Sequence, residues 1–384
     1  MPSLVTTVRG TGVLTTETRR SRDVSPLIAQ LEGNAGPLVT LLMRLKSKAA
    51  TDPKFEWIED ELLPRFDTLG ADLTAAATTM TVVNYSYFRA GDIVRVNKNE
   101  LVKVSTTPSS TSVSISRAFG TTAATTASSG EQLHIIGNVN EEGATSRALL
   151  STVRQPKYNY CQIFRHPFGY TATAAATNVF GEKDPDMEKS KQLIEHKKDI
   201  ELSFILGEPK EYTGGTHPCR ATGGINYFID TNIKDMGGTM DEAEFEDFLR
   251  ILFRYGSSER VGFLSPLFAT VINGFARSKL QTRTDEKTYG ITMSRYQNTG
   301  RVVELVEHKL LNNDSLTDLT GIAGWGIFLD IADLSIRYMN GRFTVLKENI
   351  QANDVDGRTD EYLSEVGLQL QLEKKHGMAV NVTG

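Results

Sequence analysis

Residues 184–207 read DPDMEKSKQLIEHKKDIELSFILG and predict one long helix. Asp184 is a natural N-cap, and Pro185 fits the first turn, where the missing N–H costs nothing. Gly207 fits a C′ position at the other end. At 1.5 Å per residue, a helix over residues 185–206 is about 30 Å long. Because its first half is highly charged and its last half apolar, we expect a strut and not a fully buried core helix.

The chain that follows this helix predicts a compact α/β unit. Thr239 and Glu242 have the spacing of a capping box, and an apolar face then recurs at helical intervals until Gly256. Residues 261–264 predict a short buried strand, and Ser265-Pro266 predicts the start of the next helix. Strand followed by helix is typical of α/β packing.

The C-terminal stretch predicts strands. Residues 366–373, VGLQLQLE, alternate strictly between apolar and polar, which indicates a half-buried strand with one apolar face. After a turn near His376-Gly377, the same alternation continues through residues 378–382.

The region before the helix is rich in Ser and Thr from about residue 67 to 140 and predicts a small antiparallel unit. Its apolar residues come in short bursts at 80–83, 93–96, 101–104, 112–115 and 133–136. We expect the stretch from Gly120 to Gly130 to be a flexible loop.

The N-terminal part predicts an extended arm and two short helices. Leucines at helical spacing follow Gly36-Pro37, and a second helix is predicted from Phe55 to Leu63, before Pro64. The first 50 residues hold seven Lys/Arg against three acidic residues, whereas the whole chain has a net charge of -5. This charge fits an arm that lies on an acidic neighbour, and it fits a solvated, disordered terminus equally well.

Composition favours a globular protein. The length favours two or three packed units, because a single core rarely grows past about 250–300 residues and this chain has 384. Cys161 and Cys219 are far apart, and we expect free thiols in a reducing cytoplasm. The N-terminus has no signal-peptide pattern, and no apolar run is long enough to span a membrane.

The search for chemistry predicts no catalytic, cofactor-binding or metal-binding residues. None of the six histidines has HxH or HExxH spacing, and neither GxSxG nor a phosphate-binding glycine motif occurs. The pair His217 and Cys219 is too little to indicate a nucleophile and its base. The cluster Phe164-Arg165-His166-Pro167-Phe168 interleaves basic and aromatic residues, a weak pattern for nucleic-acid contact. We therefore expect a protein that is not an enzyme and needs no cofactor.

Several strings, taken in order, resemble a known family. They are FEWIEDEL (55–62), GDIV (91–94), ELVKV (100–104), RAFGTT (117–122), NYCQIF (159–164), RATGGI (220–225) and YQNTGRV (296–302). With the helix that holds Glu195-His196 and ends at Gly207, they are similar to the major head proteins of the SU-ten type, a branch of the Hong Kong 97-type phage capsid proteins. Cys161 and Asn298-Thr299 depart from the pattern of that family, and the Lys, Asn and Glu of subunit crosslinking do not align, so we predict no crosslink.

This resemblance implies an α+β fold of the Hong Kong 97 type with an N-terminal arm, a β extension, a peripheral domain with a spine helix and an α/β axial domain. The implied divisions are 1–34 (arm), 35–66 (peripheral domain, first part), 67–145 (β extension), 146–215 (peripheral domain with spine helix 185–206), 216–340 (axial domain) and 341–384 (peripheral C-terminal strands).

The resemblance also implies a function: a major capsid protein that assembles into an icosahedral head shell around double-stranded phage DNA. Its partners would be copies of itself in pentamers and hexamers, a portal, a scaffold, a cement or decoration protein, and DNA bound non-specifically, without a membrane. Its place would be the virion, after synthesis in the host cytoplasm. A tail or decoration protein is the alternative structural role, and an enzyme or carbohydrate-binding protein would need a convergent polar pocket.

Overall fold

In a computed structural model of the chain, the described residues are 36–45, 47–96, 100–147, 149–177, 184–276, 294–298, 300–312 and 321–383. They fold into two compact units. The larger unit comprises Met1–Trp57 and Tyr158–Gly384, and the smaller unit is Ile58–Lys157. The arm predicted for residues 1–34 lies outside the described residues.

The helices and strands are numbered in chain order. The helices are α1 (Pro37–Leu45), α2 (Ala172–Ala176), α3 (Asp184–Leu206), α4 (Ile225–Phe228), α5 (Glu242–Leu252) and α6 (Pro266–Ala276). The first ten strands are β1 (Ser47–Ala50), β2 (Lys54–Glu59), β3 (Phe66–Thr68), β4 (Thr79–Thr81), β5 (Asp92–Val96), β6 (Glu100–Val104), β7 (Ser112–Ser116), β8 (Gln132–Asn138), β9 (Gln155–Tyr160) and β10 (Gln162–Thr171). The others are β11 (Lys210–Tyr212), β12 (Cys219–Ala221), β13 (Ile233–Gly238), β14 (Glu259–Leu264), β15 (Ser294–Asn298), β16 (Arg301–Glu307), β17 (Gly326–Leu329), β18 (Leu334–Met339), β19 (Val345–Lys347), β20 (Gly357–Leu370) and β21 (Gly377–Val382).

A five-stranded sheet in the larger unit has the order β1-β18-β20-β10, and β19 also pairs with β20. The central strand β20 is antiparallel to β10 and to β18, whereas β1 runs parallel to β18. The expected half-buried strand at residues 366–373 is wrong in two respects. β20 is buried on both faces, because Gln369 is covered as well as Leu368, and it ends at Leu370.

A six-stranded sheet in the same unit has the order β13-β21-β17-β14-β16-β15. Aromatic side chains of α5 and α6 pack on it around Phe328, with Phe248 at a ring distance of 5.2 Å and Phe268 at 6.1 Å. The last strand, β21, belongs to this sheet, whereas β20 belongs to the five-stranded sheet. The strands of residues 341–384 are therefore divided between the two sheets.

One hydrophobic core joins both sheets of the larger unit to helices α1 and α3. Leu42, Phe204, Ile336, Leu368 and Phe263 are all buried in it. The helix predicted from the sequence is confirmed as α3. Gly207 directly follows this helix. Only glycine fits at this position, because a Cβ would lie 2.4 Å from the carbonyl oxygens of Ser203 and Thr222.

The smaller unit is a six-stranded antiparallel sheet with the order β3-β8-β5-β6-β7-β4 and a hydrophobic core of its own. All five apolar bursts of the sequence coincide with strands, namely β4 to β8. Val94, Val96, Val102, Val104 and Leu133 are completely buried. Alternation with period two predicted these strands because only one face of each is apolar.

Two further sequence predictions, for a helix and for a helix cap, are wrong. The helix expected over residues 55–63 is instead strand β2, where Phe55 and Trp57 are buried and Glu56 and Ile58 are exposed. This alternation, together with the pairing of β2 with β9, overrides the helical spacing of the later leucines. Helix α5 is capped by Asp241 and not by Thr239, because β13 extends to Gly238 and the Asp241 side chain accepts the Glu244 N–H at 2.7 Å.

Ser265 is confirmed as the cap of α6, since its hydroxyl accepts the Phe268 N–H at 3.1 Å. Among the described residues, no helix combines the length and apolar character needed to cross a membrane.

Candidate functional site

The described residues hold no group of three or more His, Cys, Asp or Glu side chains arranged to bind a metal ion. Polar side chains do converge in several buried places, of which three are described first. Two of them fasten helix α3 within the larger unit, and the third fastens a long loop within the smaller unit.

The first place is the apolar end of α3, where Glu201 is completely buried. Its carboxylate accepts the backbone N–H groups of Leu38 at 2.8 Å and Val39 at 2.6 Å, which are orphan donors in the first turn of α1. The Nε2 atom of His308, also completely buried, lies 2.7 Å from Glu201 Oε1. A negative charge at a helix N-terminus is favourable, so Glu201 holds α1, α3 and the end of β16 together.

The second place joins α3 to the five-stranded sheet through two facing imidazoles. Nδ1 of His196 on α3 lies 3.0 Å from Nδ1 of His166 on β10. His166 Nε2 lies 3.1 Å from the Asp199 carboxylate, and His196 Nε2 lies 2.6 Å from the Ser364 hydroxyl. Ser364 in turn lies 2.9 Å from the Thr344 hydroxyl.

Only one of two facing nitrogens carries a hydrogen when both imidazoles are neutral. Since His166 Nε2 donates to Asp199, its Nδ1 accepts from His196 Nδ1–H, and His196 Nε2 then accepts from the Ser364 hydroxyl. Burial, with a smaller contribution from the neighbouring His166, lowers the pKa of His196 to about 4. This chain of donors therefore depends on a neutral His196.

The third place, in the smaller unit, is the buried ion pair of Glu100 and Arg117. Two nitrogens of Arg117, Nε and Nη2, each lie 2.7 Å from a carboxylate oxygen of Glu100. Glu100 also accepts the Thr125 N–H at 2.9 Å. Burial alone would raise the pKa of Glu100, but the hydrogen bonds from Arg117 and the backbone outweigh it and lower the pKa to about 2.

This ion pair changes the expectation for the loop from Gly120 to Gly130. Arg117 Nη1 also donates to the carbonyl of Thr74, at 2.5 Å. Ala127 exchanges both backbone hydrogen bonds with Leu73, at 2.8 and 3.0 Å. The prediction of a flexible loop is therefore wrong at Thr125 and Ala127, which are fixed to the body of the smaller unit.

Strand β9 is fixed within the larger unit by Asn159, which is completely buried. Its side-chain amide donates to the carbonyls of Gly223 at 2.9 Å and Leu368 at 2.6 Å, and its oxygen accepts the Gly223 N–H at 2.6 Å. The side-chain amide thus holds β9 against the C-terminal end of β20.

The residues that the sequence suggested for chemistry are not brought into one site. Cys161 is buried, and burial raises the pKa of its thiol to about 12. Cys219 is exposed, and both thiols are free, as predicted. In the basic and aromatic cluster, Arg165 is paired with Glu361 and His166 with His196. These side chains serve contacts within the chain.

Sequence reasoning missed Glu201, His308 and Glu100 as positioning residues. One signal was present for Glu201, because a single acidic residue stands in the otherwise apolar end of α3, ELSFIL. A carboxylate on an apolar helix face is rarely buried without a partner. Nothing local pointed to His308 as that partner.

Apolar side chains remain exposed on the two segments that begin and end the smaller unit. Leu62 is 94% exposed, Leu149 101%, Val153 79% and Ile58 68%. Large exposed apolar side chains in such a concentration mark interaction surfaces.

Comparisons with known proteins agree with this architecture. The profile of the SU10 major capsid protein family matches residues 6–383. No curated protein sequence matches the chain.

Two solved structures share the fold at low sequence identity. The SrpI encapsulin complex of Synechococcus elongatus PCC 7942 is 8% identical with a TM-score of 0.51, over 98% of this chain and 96% of that one. The capsid of a native GTA particle is 7% identical with a TM-score of 0.51, over 98% of this chain and all of that one. These likenesses confirm the predicted α+β fold of the Hong Kong 97 type.

The family profile covers nearly the whole of both units, and the predicted family is confirmed. The chain belongs to the SU10 major capsid protein family and is a structural protein that assembles with copies of itself into the capsid shell of the virion.

Proposed function

We propose that the chain forms pentamers and hexamers that close into the icosahedral head of a tailed phage around double-stranded DNA. The observation that carries this proposal is the family match over residues 6–383, which includes both units. We further propose that the protein has no catalytic activity and is made in the cytoplasm of the bacterial host.

The smaller unit is the element that we propose to reach a neighbouring copy. It has its own core, so it keeps its shape without support from other chains. The two-stranded pairing of β2 with β9 cannot bury both of its faces by itself. A neighbouring copy would cover the exposed Leu62 and Val153 and would remove their apolar surface from water.

The two halves of α3 differ in burial, and this difference supports a different role for each half. Its apolar end is anchored in the core through Ile200 and Phe204, whereas most of the described residues before Ile200 are only partly buried. We propose that this charged part faces neighbouring copies. The division of the larger unit into peripheral domain, spine helix 185–206 and axial domain stays a proposal that follows from the family.

DNA contact is proposed to be weak and non-specific. The net charge of -5 disfavours tight binding of the whole surface to phosphates, whose contacts depend on released counterions. A portal, a scaffold and a cement or decoration protein are further proposed partners, since a closed head needs an entry point and size control.

The test is to express the full chain, alone and with the proteins encoded beside it, and to image the product by electron microscopy. Closed particles with five-fold vertices support the proposal. Tubes would favour the alternative role as a tail protein, and a stable monomer with hydrolase activity would overturn the capsid proposal.

A double variant, Leu62→Ser with Val153→Ser, tests the contact surface. Both side chains are almost fully exposed in the single chain, so the folding stability should change by less than about 0.5 kcal/mol for each change. We expect the fraction of protein that sediments as particles to fall strongly. The matched control is Ile350→Ser, a change of an exposed residue in the larger unit. An assembly yield equal to that of the unchanged chain would contradict the proposed contact.

A further inference from the structure

The path of the described chain passes between the two sheets of the larger unit at three places. Residues 229–232 lead into β13, residues 330–333 join β17 to β18, and residues 371–376 join β20 to β21. We call these three segments, together with Arg260, the crossover junction. Their hydrogen bonds show that they are fastened to one another.

The first and third segments are joined by side chains from both. The side-chain amide of Asn232 donates to the carbonyls of Lys374 at 2.8 Å and His376 at 2.9 Å. The Glu373 carboxylate also accepts the Thr231 hydroxyl at 2.6 Å. The first segment donates all of these hydrogen bonds to the third, so neither segment can move without breaking several of them.

The second and third segments are joined as closely. Lys375 Nζ lies 2.7 Å from the Asp333 carboxylate, and the Gln371 N–H donates to the Asp333 carbonyl at 3.1 Å. The Asp330 N–H donates to Nδ1 of His376 at 3.1 Å, so this imidazole must accept at Nδ1 and carry its hydrogen on Nε2.

Arg260 lies at the centre and its side chain is completely buried. Its Nε donates to the carbonyl of Lys375 at 3.0 Å, and its Nη1 donates to Asp330 Oδ2 at 3.0 Å. Its Nη2 donates to the carbonyl of Tyr255 at 2.6 Å. Burying a guanidinium is costly unless its N–H groups find acceptors. Here the acceptors come from two of the three segments and from Tyr255, which follows α5 in the chain.

Gly256 completes the arrangement. Its φ is +85°, and a Cβ at this position would lie 2.7 Å from Arg260 Nη2 and 2.9 Å from Asp330 Oδ2. The backbone must pass this close to the guanidinium for Tyr255 to accept its hydrogen bond, which only glycine allows.

We propose that the crossover junction is a rigid joint in which Arg260 is the positioning residue, and that it holds the two sheets in one relative orientation in every copy of the shell. The larger unit then behaves as one body, and adaptation between five-fold and six-fold positions takes place outside the junction. The effect on particle size rests on the proposed function, whereas the rigidity of the junction does not.

The direct test is amide hydrogen exchange on the unassembled full chain with the variant Arg260→Met, which keeps a long side chain but has no N–H donors. We expect exchange of the Asp330 and Gln371 amides to speed up by at least about tenfold, because local opening becomes easier. The amide of Val94 in the smaller unit should not change. The control is Arg220→Met, which breaks the pair with Glu211 (2.8 Å) away from the junction.

Assembly supplies the second measurement. Particles of Arg260→Met should show a broader range of diameters than particles of the unchanged chain or of Arg220→Met. If the Asp330 and Gln371 amides of Arg260→Met exchange at the rate of the unchanged chain, the proposed rigid joint is overturned. If exchange is faster but the particle diameters are unchanged, the role of the joint in particle size is overturned.

If Arg260→Met fails to fold, Lys375→Met replaces it, since Lys375 lies at the partly exposed edge of the junction. We then expect faster exchange of the Gln371 amide, and exchange at the rate of the unchanged chain would overturn the joint. If the unchanged chain forms no particles, the proposed function fails, and the exchange measurement still tests the joint.

Discussion

Oε1 of Glu201 lies 2.7 Å from Nε2 of His308, and the two side chains are joined across 107 positions of the chain with no exposed surface on either. The same carboxylate closes the first turn of α1 through Leu38 and Val39. One residue of α3 thus determines where α1 begins and how the end of β16 meets it.

Glu201→Ala should therefore destabilise the chain by about 3–5 kcal/mol, the typical loss when one partner of a buried pair is removed. Two backbone N–H groups and an imidazole would lose their acceptor. Denaturant unfolding of the unassembled chain measures the change. The control Glu195→Ala alters a partly exposed carboxylate of the same helix, and an equal loss in both variants would contradict the role given to Glu201.

Acid should loosen the contact between α3 and the five-stranded sheet through His196. Its pKa in the folded chain is about 4, whereas an unfolded histidine takes up a proton near pH 6.5. Between these values the unfolded state binds more protons, so the contribution to stability is complete above pH 6.5 and is lost as the pH falls toward 4.

We expect this loss to be on the order of 1–2 kcal/mol, and His196→Gln should reduce it. The free energy of unfolding measured at pH 7 and at pH 5 tests this prediction. His134→Gln, in an exposed position of the smaller unit, is the control. His376, whose pKa burial lowers to about 4, acts in the same pH range, so the variant should flatten the pH profile only in part.

In the smaller unit, Arg117→Met should release the loop around Thr125. The buried Glu100 would lose its cation, and an unpaired buried carboxylate is strongly destabilising. Limited proteolysis should then cut between Gly120 and Gly130, where we expect the unchanged chain to resist. Arg154→Met, which removes an exposed pair with Asp60 (3.6 Å), should leave the cleavage pattern unchanged. Cleavage at equal rates in both variants would count against the anchoring role.

Gly256→Ala should destabilise the larger unit far more than Gly130→Ala. Both glycines have a positive φ near +85°, so both changes carry a backbone cost of about 1 kcal/mol. A Cβ at Gly130 meets nothing within 4 Å, whereas a Cβ at Gly256 meets Arg260 and Asp330. Thermal unfolding of the two variants compares them. Equal midpoints would show that the close approach at Gly256 has no energetic weight.

Much of the fold follows from local pattern. The strands of the smaller unit could be predicted from short apolar runs, because each strand has one face in the core. Helix α3 could be predicted because residues 184–207 contain the signals for its start, its length and its end. The helix predicted from Phe55 to Leu63 is wrong because only two apolar residues, Phe55 and Trp57, show the alternation of a strand. The leucines that follow them fit the spacing of a helix equally well.

The buried polar contacts could not be predicted in the same way. Glu201 and His308, or Arg260 and Asp330, are partners only because distant strands meet, and no spacing in the sequence records that meeting. β20 shows the same limit. Its alternation suggested one polar face in water, but Arg337 donates to Gln369 at 2.6 Å and that face is covered.

The pairing of β2 with β9 means that the chain leaves the larger unit and returns to it at neighbouring points. A segment whose two ends lie side by side can change in length or be exchanged for another without altering the path of the chain that carries it. Residues 58–157 are therefore the natural place for relatives to diverge in size, and the natural place at which a foreign domain could be displayed on the particle.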